Sequence, residues 1–290
     1  MVKKICISGN CVTMAIPYFL KTCSNFNERY EIIPLKPVYT ISAQQDIDEF
    51  KNNVSLCDVF LTQPIVGDKY KNMGIDTESI KNILKPDARL LTMPVPYFSG
   101  YFPEQFYLHD DAGNLIGECE GLPSPYHNKI IFYEYVHKMS AEQVYDILYD
   151  ESYKTDAEQK VKASIAELQK REQTINFPIS GFIEENFKKQ RLFWTVNHPT
   201  NVLIFFISQQ FMKILSGIDN CEYVIQNIDK ELLDSYFTPI LPSVQKVLNL
   251  EITDKWANSK YTIDFIKQAY DYYDKHPELV ESNKKFIEDM

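Results

Sequence analysis

No glycine follows Gly217 in this chain of 290 residues, and seven of its nine glycines lie within the first 121. Glycine supplies the backbone freedom of tight turns, so turn-rich structure is expected early and helix after helix later. Basic residues are also short: 30 Lys and Arg face 40 Asp and Glu, a formal charge of −10. A general nucleic-acid binder needs a basic face that displaces counterions, so that class is disfavoured. A small phosphate-bearing ligand needs only a local cluster, for which Lys21, Lys36, Lys69, Lys71, Lys188, Lys189 and Arg191 are available. Long apolar runs are missing as well. The longest, Val202–Ile207, is too short to span a bilayer, so no transmembrane segment is expected. Lys3 and Lys4 precede an apolar stretch as in a signal peptide, but Ser8, Gly9, Asn10 and Thr13 interrupt it and no cleavage site follows. A cytoplasmic protein is the expectation.

The six cysteines (6, 11, 23, 57, 119, 221) form no CxxC pair, and the five histidines form no HxxxH or HExxH. No metal site is expected from them. A chain this long builds its own core without disulfide staples, which fits reduced thiols.

What is present is an ordinary globular balance, 44% apolar and 24% charged residues. "KKICIS", "YEIIPL", "DVFLTQPI" and "ARLLTMPVPYF" read as four buried strands, with "DTESIKNIL" a helix between the last two. Val12, Ile16, Phe19, Leu20 and Cys23 share a helical face, although Pro17 predicts a late start or a kink. Alternating strands and helices imply an α/β fold, Rossmann-like or SGNH-like, with a mostly parallel sheet covered on both faces. From about Lys138 the pattern turns helical. Ser140 with Gln143 resembles a capping box, and Thr155 with Glu158 opens another candidate helix. The expected organisation is an α/β region over 1–137 and a helical region over 138–290, within one compact unit.

In a parallel sheet, ligands bind at the carboxyl ends of strands. Gly9-Asn10-Cys11 follows the first strand and precedes a helix, which puts a thiol there. The helix N-terminus is expected to lower the thiol pKa and to offer N–H groups to an oxyanion. The competing reading is that Cys11 is a small buried hydrophobe, as most free cysteines are. A nucleophilic thiol wants a base. His276 and His137 read as helix-boundary residues, and His109 and His127 fall in a loop candidate from 97 to 127. His198, in "TVNHPTN", precedes Pro199 and Thr200 at the start of an apolar helix, where a fixed imidazole is aimed at a pocket or simply enters a helix.

Gly9-Asn10-Cys11, "TQP" (62–64), "PVPYFSGYFPE" (94–104) and "RLFWTVNHPT" (191–200) occur in this order. Together they resemble the WcbI-type polysaccharide biosynthesis family, over residues 1 to about 220. The resemblance implies a coenzyme A-dependent acetyltransferase of bacterial capsule assembly, with acetyl-CoA as acyl donor, a saccharide as acceptor and no metal. It implies Cys11 and His198 as catalytic residues, and Gly9, Asn10, Gln63, Tyr97 and Asn197 as oxyanion or substrate contacts. Arg191 and Lys69 are then the candidate cations for the phosphates. Phe98 and Tyr101 are candidate groove wall, and Glu134, Glu172, Glu184 or Asp110 a candidate third member beside His198. One departure stands out: the family pattern has glutamine after the cysteine, and Val12 stands here. Two other functions remain open, an SGNH-like esterase or deacetylase using the same turn, and a non-catalytic CoA- or saccharide-binding component of an assembly system.

Overall fold

The computed structural model describes residues 2–117, 119–122 and 125–287. The chain forms two compact units, each built from three segments. Unit 1 takes Met1–Tyr97, Ile165–Glu185 and Asn197–Asp234; unit 2 takes Phe98–Ser164, Asn186–Val196 and Ser235–Met290. A boundary drawn at 137/138 from composition does not coincide with these units. Long-range pairing decides the division: the Asn176 N–H donates to the Thr92 carbonyl at 2.9 Å, returning a late segment to the N-terminal sheet.

Unit 1 runs β1 (Lys3–Ser8), α1 (Cys11–Leu20), α2 (Ser24–Arg29), β2 (Tyr30–Ile33), α3 (Gln44–Leu56), β3 (Val59–Thr62), α4 (Asp68–Met73), α5 (Thr77–Ile83) and β4 (Arg89–Thr92). The strands form one parallel sheet in the order β2-β1-β3-β4, with Ile5 opposite both Ile32 and Val59. This is the α/β architecture expected from the strand pattern. Cys6 and Phe60 pack with Ile47, Phe50 and Val54 of α3 and Ile80 of α5 in one buried cluster. Truncating a fully buried Phe60 to alanine would cost about 3–5 kcal/mol. α1 also packs on β1, and the helix Asn201–Asp219 packs on α1. That 19-residue helix is long and apolar enough by composition to cross a membrane, and here Leu203, Ile204, Ile207, Phe211 and Leu215 are buried.

Three local expectations change. α1 starts at Cys11, not late, and Pro17 lies in its interior, so the Thr13 carbonyl loses its intrahelical N–H partner. The fourth strand stops at Thr92, just before the Pro94 and Pro96 that cannot extend a ladder. α3 was not foreseen, although Ile47, Phe50 and Val54 carry helical spacing.

Unit 2 is mainly helical, with helices including Lys129–Val136, Ala141–Leu148, Pro242–Leu248, Ile263–Lys275 and Pro277–Asn283. The Ser140–Gln143 capping box is present. Phe98, Tyr101, Phe187 and Phe193 form an aromatic cluster. The buried Tyr101 hydroxyl lies against the Phe187 carbonyl and, at 3.1 Å, that of Gln190. Phe98 and Tyr101 are therefore core residues and not groove wall.

Candidate active site

Strand order reverses direction at β1, whose two neighbours are β2 and β3, so the crevice expected for a ligand opens between the carboxyl ends of β1 and β3. Three interactions shape the chain there. The Asn10 N–H donates to Gln63 Oε1 at 2.9 Å, the Val12 N–H donates to Asn10 Oδ1 at 3.0 Å, and the Val38 N–H donates to the Gly9 carbonyl at 3.2 Å. Asn10 is thus the N-cap of α1, satisfying a backbone donor that the first helical turn leaves unpaired. Gly9 has φ +147°, and a Cβ on it would sit 2.5 Å from Gln63 Oε1 and 2.7 Å from Thr13 Cγ2. Only glycine fits both the backbone angle and the close approach.

The result is Cys11 as the first residue of a helix, half-buried, on the wall of a cleft of about 830 Å³. Cys11, Met14, Tyr18 and Lys21 recur at helical spacing and present one face of α1 to this cleft. The end of β2 with the following Pro34 and Leu35, and the exposed Tyr39, form a second side. Ile228 and the run Lys230–Leu233 form a third. Lys21 and Lys230 are its cations.

The helix N-terminus does not win the contest over the Cys11 thiol. N–H groups of Val12 and Cys11 pull its pKa down, but burial pushes harder and the net shift is upward. Dipole effects at a helix end are worth about 0.3–1 kcal/mol, whereas desolvation costs a charged group more. Cys11 therefore rests as a thiol, contrary to the lowered pKa expected from sequence. Burial, with the nearby Cys11 second, also raises the Tyr39 phenol.

His198 is half-buried, and desolvation lowers its pKa, keeping the imidazole neutral. The pair His198–Pro199 packs against α1, yet His198 is not among the residues lining the cleft. Two residues that sequence reasoning passed over lie beside it. Asn201, 3% exposed, donates its backbone N–H to Glu231 Oε2 at 2.9 Å, and Glu231 lines the cleft. Only the proximity of Asn201 to the "NHPT" motif could have drawn attention to it. Glu231 lies in an irregular segment without local signal.

The remaining candidates separate. Gln63, 2% exposed, is at the turn, but Tyr97 and Asn197 do not line the cleft. Lys69 is exposed on α4, 5.5 Å from the Tyr70 ring centre, and is also outside the cleft. Arg191 belongs to unit 2, where its buried guanidinium donates to Asp254 Oδ2 at 2.9 Å and to the Trp256 carbonyl, and lies over the Trp194 and Phe237 rings. These partners make Arg191 a structural residue. Lys21 and Lys230 line the cleft, and Arg191 and Lys69 do not. Among the third-member candidates, Glu172 caps the helix Ser180–Asn186 by accepting from the Ile179 and Ser180 N–H groups, and Asp110 closes a turn with Asn114. Glu184 is exposed and Glu134 lies in unit 2. Val12 is fully buried, so the position where glutamine was expected turns its side chain into the core. Among the described residues, no group of three or more His, Cys, Asp or Glu could hold a metal ion.

A family model described as the polysaccharide biosynthesis enzyme WcbI matches residues 4–216. A solved structure of WcbI, described as a novel polysaccharide biosynthesis enzyme in its native form without a disulfide bond between coenzyme A and one of its cysteines, is similar to this chain with a TM-score of 0.80. That likeness covers 100% of this chain and 96% of the other at 20% identity, which establishes the shared fold. No curated protein matches the chain.

Proposed function

This chain belongs to the WcbI family of polysaccharide biosynthesis enzymes, and from that premise we propose that it transfers an acyl group, most simply acetyl, from coenzyme A to a sugar hydroxyl. The observation that carries this reading is the cleft itself: Cys11 at a helix N-terminus, exposed tyrosines at 18 and 39, and two lysine ammonium groups at 21 and 230. The lysines suit the phosphates of the donor, the aromatic and apolar walls suit its adenine and pantetheine, and Cys11 marks the thioester end. The structural relative is described as a native form without the disulfide between coenzyme A and one of its cysteines, and this pairing of the donor with a thiol supports that polarity.

In the reaction, the neutral imidazole of His198 accepts the proton of the acceptor hydroxyl as its oxygen attacks the thioester carbonyl carbon. The carbon–sulfur bond breaks, and the coenzyme A thiolate leaves and takes that proton back from the imidazolium. With the Asn10, Val12 and Thr13 N–H groups engaged in the turn and its cap, the Cys11 N–H is the backbone donor at the start of α1 that stabilises the developing oxyanion. The same groups permit a second order of events, in which Cys11 first accepts the acyl group. The raised thiol pKa favours direct transfer. Incubation with acetyl-CoA followed by intact-protein mass measurement separates them: direct transfer leaves the protein mass unchanged, whereas a covalent route leaves an acetyl adduct that Cys11→Ala abolishes.

Binding is tested by melting. Coenzyme A at about 100 times its Kd should stabilise the fold by about 2.7 kcal/mol through mass action. Hydrolysis of a model acetyl ester with no melting response to coenzyme A would favour an esterase instead.

A further inference from the structure

Between the end of the helix Asn201–Asp219 and Asp234, the chain has no regular secondary structure. Its later part, 228–233, nevertheless supplies one wall of the Cys11 cleft. A wall without a ladder or helix of its own needs an external template, and one side chain provides it. Asn201 Nδ2 donates to the carbonyls of Ile228 at 2.9 Å and Lys230 at 2.8 Å, while the Leu232 N–H donates to Asn201 Oδ1 at 3.2 Å. The Asn201 backbone N–H holds the Glu231 carboxylate. One buried carboxamide thus reads three alternate residues of the strap, using both donors and its acceptor, so no aspartate or leucine of the same size could replace it.

We propose that Asn201 is a positioning residue that sets the width and the cation placement of the donor cleft by clipping the strap 228–232. Lys230 is aimed by this clip, and the clip begins three residues after His198, so a single turn anchors both the base and the wall that holds the donor. The inference rests on the donor-binding reading of the cleft.

Asn201→Asp keeps the acceptor oxygen, removes both donors and adds charge beside Glu231. Hydrogen exchange is measured on the wild type and on this variant, with and without coenzyme A, alongside calorimetry with coenzyme A. The expected result is faster exchange confined to the strap amides and a Kd for coenzyme A raised about 10- to 100-fold, while β1–β4 amides keep their protection. A purely structural residue would not move that Kd without loosening the sheet. Glu231→Gln serves as the milder variant if Asn201→Asp does not fold, with the same direction expected and a smaller size. Wild-type strap exchange together with wild-type affinity would overturn the proposal. A wild type that ignores coenzyme A, with a strap that still loosens in the variant, would sustain the clip and remove the donor reading.

Discussion

Gln63 Oε1 accepts the backbone N–H of Asn10 at 2.9 Å, so the residue that follows β3 holds the turn carrying Cys11. Two adjacent parallel strands are thereby joined at their carboxyl ends, where the sheet changes direction. The thiol is presented by this link and by the Asn10 cap, and both depend on Gly9 leaving room for the Gln63 carboxamide.

Gly9→Ala should therefore be among the most damaging small substitutions in unit 1. A methyl 2.5 Å from Gln63 Oε1, on a backbone angle that L-residues avoid, should destabilise the fold by about 2–4 kcal/mol. Urea unfolding should show this as a lower midpoint with little change in slope. A midpoint within error of the wild type would mean that the turn is looser than described.

Acid stability should report on His127. This imidazole is buried, donates to or accepts from Tyr273 at 2.8 Å, and burial lowers its pKa from 6.5 to about 4. Below pH 6.5 the unfolded chain takes up a proton that the folded chain refuses until about pH 4. The contribution is fully present above pH 6.5 and is lost progressively as pH falls through that window, by about 3 kcal/mol. His127→Gln should flatten that part of the stability profile measured by thermal melting. An unchanged slope would assign the acid loss to other groups.

Much of the sheet was legible because its strands are short apolar runs bounded by turn residues, as in "KKICIS" before Gly9. The Ser140–Gln143 cap was legible because both partners lie within one helical turn. Arg191 was not, because its partner Asp254 is 63 residues away and nothing local distinguishes a buried guanidinium from a phosphate ligand. The Cys11 pKa was misjudged for a similar reason. The helix N-terminus is visible in sequence, but the burial that overrides it is not. The wall at 228–233 carries no periodic signal at all, since Asn201 determines its shape from outside.

The two cation assignments make opposite expectations. Arg191→Met should destabilise the protein by about 3–5 kcal/mol, because it strands the partly buried Asp254 carboxylate. Coenzyme A affinity at a temperature where the variant is folded should stay within about twofold. Lys21→Ala and Lys230→Ala should do the reverse, leaving melting near the wild type and weakening coenzyme A binding by about 3- to 30-fold, less at high salt. Calorimetry at two salt concentrations checks both halves.

Activity should rise with pH through a single ionisation below 6.5, the imidazole of His198, whose pKa burial depresses. Cys11, shifted the other way, should remain a thiol through neutral pH and react slowly with iodoacetamide at pH 7.5. Rapid alkylation at that pH, quenched by coenzyme A, would instead indicate a thiolate and favour the covalent route.

The most direct test follows radiolabelled acetyl from acetyl-CoA into a panel of free and nucleotide-linked sugars, using the wild type, Cys11→Ala and His198→Ala. The wild type should label at least one sugar hydroxyl, and His198→Ala should lose that transfer by at least about 100-fold while melting near the wild-type temperature, whereas Cys11→Ala, under direct transfer, should keep a measurable part of it. Full transfer by His198→Ala, or no transfer to any sugar by a wild type that binds coenzyme A, would contradict the function assigned to this cleft.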